Sequence, residues 1–70
     1  MNLDLRGVRC PLSWAKAKLY LEEQPRGAEV ELILDDPKGA RDIPRAAEAE
    51  GYAVIDVVER PYEWRILIHT

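Results

Sequence analysis

AEVELILD, residues 28 to 35, is the stretch on which the fold turns. Successive side chains of an extended chain point to opposite faces, so Val30, Leu32 and Leu34 lie on one side, and Glu29, Glu31, Ile33 and Asp35 on the other. This is a strand with one buried face, and its flanks must supply the layer that buries it. Upstream, residues 11 to 23 contain no glycine and no β-branched residue, are rich in Ala, Leu, Lys and Glu, and open with a proline suited to a first helical turn. They predict a helix. Its apolar residues form two stripes, Trp14, Ala17 and Leu21 against Leu12, Ala15 and Leu19. The stripe with the aromatic residue is read as inward, which leaves Leu12 near Cys10. Further back, NLDLR (2 to 6) alternates with period two and reads as a short strand.

Downstream of AEVELILD the chain is punctuated at Pro37 to Gly39. ARDIPRAAEAEG (40 to 51) then predicts a second helix, with Asp42 as N-cap, Pro44 in the first turn and Gly51 as the stop. Ile43, Ala46 and Ala47 give it a narrow apolar stripe. YAVIDVVER (52 to 60) and YEWRILIHT (62 to 70), separated near Pro61, read as a hairpin. The order βαβαββ implies an α+β two-layer sandwich, a four-stranded mixed sheet with two helices on one face. The other face is expected to be more polar, with Glu29, Glu31 and Arg65 at alternating positions.

Seventy residues make one domain, 1 to 70, which buries only about 60% of the surface of its unfolded chain. One cysteine cannot form an internal disulfide, and no Cys/His cluster offers a structural zinc, so stability must come from packing or from weak self-association. Neither a secretory signal nor a membrane-spanning window is apparent after MNLDLRG, which points to a reducing cytoplasmic setting in which the thiol stays free. Ten basic against thirteen acidic residues, net charge −3, argue against direct nucleic-acid binding, whose affinity rests on a basic surface.

The thiol lies in RGVRCPLSWAK (6 to 16). With Pro11 at the first helical position, Cys10 would be the N-cap. There the unsatisfied N–H groups and the helix dipole favour a thiolate, aided by Arg6 and Arg9. Position alone leaves two readings open, a nucleophile or an inert apolar filler. The only histidine, His69, stands next to the C-terminus and reads as a surface residue, so a Cys-His hydrolase is disfavoured. A two-cysteine oxidoreductase is disfavoured likewise, for want of a second thiol. Any sulfur chemistry would need a partner's thiol to complete it. Asp35 and Asp36 precede Pro37 and read as ordinary turn chemistry rather than a cation site, so no metal is expected. Arg41 and Arg45 are suited to an acidic partner surface or to solvent.

LDLRGVRCP (Leu3 to Pro11), DDP (Asp35 to Pro37), RDIP (Arg41 to Pro44) and Gly51 occur in an order and at spacings similar to those of the TusA (SirA-like) family of small sulfur carriers. The resemblance covers nearly the whole chain. It implies the same βαβαββ sandwich and a motif cysteine, here Cys10, that accepts sulfane sulfur as a persulfide and passes it on. The implied partners are a donor protein, a cysteine desulfurase or rhodanese-like protein, and an acceptor with a reactive cysteine; no cofactor is implied. Arg9, Pro11 and Ser13 would support the active-site loop. Pro11 matches the first proline of the family's Cys-Pro-x-Pro motif, whereas Ser13 stands where the second would be. Tyr52 stands where many members carry histidine. A non-catalytic interaction or regulatory module of the same fold is the rival reading.

Overall fold

A computed structural model describes residues 1–70. The elements follow as β1 (Asn2–Asp4), α1 (Leu12–Glu23), β2 (Glu29–Leu34), α2 (Pro37–Ala49), β3 (Ala53–Glu59) and β4 (Trp64–His69). The four strands form one sheet in the order β1-β2-β4-β3. β1 runs parallel to β2, and β4 lies antiparallel to both β2 and β3. The architecture is the α+β sandwich implied by the order of elements.

β4 therefore returns from the hairpin into the middle of the sheet. Its sequence explains why. Trp64, Ile66 and Ile68 pair with Leu34, Leu32 and Val30 of β2, and Ile66 and Ile68 are completely buried. β3, left at the edge, keeps Ile55 and Val57 substantially exposed. The β3–β4 ladder is interrupted between Val54 and Asp56, so Ile55 is an extra residue bulged from the edge strand.

The core lies between the sheet and the two helices. Val30, Leu32, Leu34, Ile66 and Ile68 from the sheet meet Ala17 and Leu21 of α1 and Ile43 and Ala47 of α2, with Leu5 closing one end. Ala17 and Leu21 lie on the inward stripe of α1, while Leu12 and Leu19 on the opposite stripe are exposed. Trp14 is only partly buried, and the fully buried residue of the first turn is Ser13. The short Ser13 side chain lies against α2, its Oγ 3.3 Å from where a Cβ on Gly39 would sit, while the indole packs partly buried against the core.

The second helix begins earlier than its composition suggests. Asp36 is the N-cap, accepting a hydrogen bond from the Lys38 N–H (3.2 Å), and Pro37 occupies the first helical position. Asp42, expected as the cap, is instead inside the helix, paired with Arg41 at 3.1 Å, and Pro44 is an internal proline. Gly39, which reads as turn punctuation, is buried in the helix where α2 passes α1. At the other end Gly51 adopts φ 93°, the left-handed conformation that terminates a helix.

The uncovered face of the sheet is a lattice of charges. Arg65 lies across Glu63 (2.6 Å) and Glu31 (3.1 Å), and Arg6 binds Asp4 at 2.8 Å. Ile33, directly opposite Arg65, is only 8% exposed although no helix covers it. The aliphatic stem of an arginine is suited to such a cover. His69 is an exposed residue of an inner strand, on the polar face away from the thiol loop.

Candidate functional site

Both helices follow strands that run in the same direction, so their N-termini emerge at one end of the sheet. Residues 5 to 11, between β1 and α1, cross this end. Leu5 anchors the loop through its burial and through its N–H, which donates to the Ile33 carbonyl at 2.7 Å. Gly7 turns the chain with φ 83° and donates its N–H to Asp35 Oδ1 at 2.8 Å. Cys10 donates its N–H to Asp36 Oδ2 at 3.0 Å. Two consecutive carboxylates at the end of β2 thus hold two points of the loop that carries the thiol.

Cys10 is not the N-cap of α1. That position belongs to Pro11, which already has helical backbone angles and no side-chain group to donate or accept. The Ser13 N–H closes onto the Arg9 carbonyl at 3.0 Å and the Ala15 N–H onto that of Pro11 at 3.1 Å, so the helical turn starts around the cysteine rather than after it. Cys10 stands one residue outside, half-buried, following a half-buried Val8 and an exposed Arg9. The Cys10–Pro11 peptide bond is cis.

The backbone N–H of Cys10 is tied to the N-terminal end of α2. Asp36 uses one carboxylate oxygen for Cys10 and the other for Lys38, with the Gly39 N–H also directed at it. These donors, the Cys10 N–H first among them, hold the Asp36 carboxyl below the usual carboxylate range, against the opposing effect of burial; Arg9 adds a smaller favourable charge. The turn reading of Asp35 and Asp36 missed this role. An Asp-Pro pair is an N-cap followed by a first-turn proline as readily as a turn.

Gly7, Arg9, Asp35, Asp36 and Pro37 line an open depression of about 350 Å³ beside Cys10. Arg9 makes no ion pair and is one of the residues lining the depression. Arg6, the other cation proposed to support the thiol, is turned to the sheet's polar face by Asp4 and lies 3.8 Å from Glu63. Pro11 is exposed next to the thiol, whereas Ser13 is buried against α2, its hydroxyl without a hydrogen-bond partner. Tyr52 packs partly buried on the core. No group of His, Cys, Asp and Glu side chains has the arrangement of a metal site, and no helix is long and apolar enough to cross a membrane.

The βαβαββ sandwich is a fold that solved structures also display. A SirA-like protein from Desulfitobacterium hafniense superposes with a TM-score of 0.81 over 96% of this chain and 92% of its own, at 23% identity, which establishes a shared fold. The family described as Sulfurtransferase TusA matches residues 1–70, and the chain belongs to it. A "Putative sulfur carrier protein" of Archaeoglobus fulgidus is 42% identical over 67 residues, 94% of this chain and 76% of the relative. A protein of the same description from Methanocaldococcus jannaschii is 38% identical over 67 residues, 96% of this chain and 89% of the relative.

Proposed function

We propose that the protein carries sulfur as a persulfide on Cys10, taking it from a donor protein and passing it to an acceptor thiol. The observation that carries this reading is the match of the whole chain to the TusA family when the chain has one thiol to offer, in a loop beside an open polar depression. In the first step the Cys10 thiolate attacks the outer sulfur of a donor persulfide, as on a cysteine desulfurase or a rhodanese-like protein. A bond forms from Sγ to that sulfur, the donor's own S–S bond breaks, and the donor leaves as a thiolate. In the second step an acceptor thiolate attacks the sulfur now carried on Cys10, and the electron pair of the broken bond returns to Sγ. Neither step changes the total oxidation state, so thiols alone complete the cycle.

Within this reading Arg9 is the free cation of the site, suited to an anionic persulfide or to an acidic partner surface. Pro11 fixes the backbone immediately after the thiol. Ser13 makes no contact with the depression; its substitution for a proline acts on the packing beneath the loop. Incubation with a cysteine desulfurase and cysteine, followed by intact-mass measurement, tests the proposal. The expected result is gain of one reducible sulfur that is absent in Cys10→Ala. No gain with several competent donors would overturn the carrier reading in favour of an interaction module.

A further inference from the structure

We propose that Asp36 is a positioning residue for sulfur transfer: its carboxylate ties the backbone of Cys10 to the first turn of α2, so the second helix, together with the turn that opens α1, sets the aim of the thiol. The inference rests on the carrier reading of Cys10.

The geometry is a fork. Oδ2 accepts from the Cys10 N–H at 3.0 Å while Oδ1 accepts from the Lys38 N–H at 3.2 Å, so one side chain joins positions 26 residues apart in sequence to a rigid helix end. A charged acceptor makes such bonds stronger than neutral ones. Besides the turn that opens α1, where the Ser13 N–H bonds to the Arg9 carbonyl at 3.0 Å across Cys10, the loop has few restraints near the thiol. Gly7 is held by Asp35, Val8 by a local turn to Leu5 at 3.1 Å, and Arg9 has a free, exposed side chain. Between Gly7 and the start of α1, Asp36 therefore supplies the single side-chain contact to the backbone at the thiol itself. A displacement of about 1 Å in a reacting group lowers transfer rates by on the order of 100-fold, so loss of this bond should act on rate before it acts on folding.

The fork also separates the two duties of Asp36 by experiment. Serine is as good an N-cap as aspartate, but it is one atom shorter and has a single oxygen. Asp36→Ser is thus expected to keep the α2 cap and lose the tie to Cys10. Asp36→Asn keeps one acceptor oxygen and can serve only one of the two N–H groups.

The test compares three readouts in wild type and both variants: melting temperature, alkylation of Cys10 by iodoacetamide, and the rate at which a persulfide-loaded cysteine desulfurase transfers sulfur to Cys10. Folded Asp36→Ser should transfer at least tenfold more slowly, while its alkylation stays within about threefold of wild type, because a small reagent does not require an aimed sulfur. A smaller fall in transfer would overturn the proposal. So would a fall matched by alkylation, since the thiol would then be hidden rather than misdirected. If Asp36→Ser does not fold, the same thresholds apply to Asp36→Thr, which also caps a helix through a single oxygen one atom shorter than that of aspartate. If the wild-type protein itself accepts no sulfur, the carrier reading fails, a result distinct from one in which wild type loads normally and the variants load equally fast.

Discussion

Ser13 concentrates the energetics of the site in one atom. Its hydroxyl is completely buried and unpartnered, and leaving such a group unsatisfied costs about 1–3 kcal/mol. Ser13→Ala keeps the backbone N–H that bonds to Arg9 and removes only the hydroxyl. Thermal unfolding should show this variant raised by several degrees, since about 1 kcal/mol moves the midpoint of a domain this size by roughly 4–8 °C. Sulfur loading on Cys10 should be retained. Asp4 makes a different prediction. The Arg6 guanidinium and N–H hold its carboxyl at about 2. A carboxyl depressed on folding adds stability above its ordinary value, about 3.9, and loses that contribution as pH falls through the folded one. Wild type should therefore melt above Asp4→Asn at about pH 5, and the difference should shrink and then vanish as pH is lowered through about 2.

At the level of elements, the site is made by two helix starts rather than one. α1 and α2 pack closely here because Gly39 leaves room: a Cβ added to it would lie 3.3 Å from Ser13 Oγ and 3.5 Å from Leu34 Cδ2. Gly39→Ala gains up to about 1 kcal/mol of helix propensity but must shift the completely buried Ser13 hydroxyl that its Cβ would meet at 3.3 Å. Alone it is expected to lower the melting temperature; in a Ser13→Ala background, where Oγ is gone, it should raise it. Equal effects in both backgrounds would refute this coupling. The cysteine loop was legible in the sequence because Gly7, Cys10 and Pro11 are strong local signals. Its anchors were not, because Asp35 and Asp36 act on residues more than twenty positions away, and local pattern gives no sign of which loop a carboxylate will hold. The start of α2 was misread for a related reason. Gly39 looks like a breaker, yet it is demanded inside the helix by the neighbouring helix.

For the molecule as a whole, the alternation in AEVELILD carried most of the information: its buried set, Val30, Leu32 and Leu34, is the centre of the core, and the helices on either side supply its cover. Strand order was less legible. Both halves of the hairpin are rich in Val and Ile, and only burial in the assembled sheet distinguishes inner β4 from outer β3. Across the uncovered face, Arg65 joins Glu31 and Glu63 and stands opposite the nearly buried Ile33. Its partly exposed ion pairs are worth little, about 0–1 kcal/mol together with screening by salt, so the main effect of Arg65→Ala should be loss of cover over Ile33. A melting temperature lowered by a few degrees, with the deficit persisting in high salt, is the expected outcome. The bulge at Ile55 has a consequence for how the protein tolerates crowding. An uninterrupted outer strand would offer each copy a template on which the next could extend the sheet. The extra residue in β3 breaks that row of donors and acceptors and increases its twist, while Asp56 and Glu59 add like charges along the same strand. The β3 margin of the sheet is thereby a poorer template for edge-to-edge stacking than an unbroken strand would be.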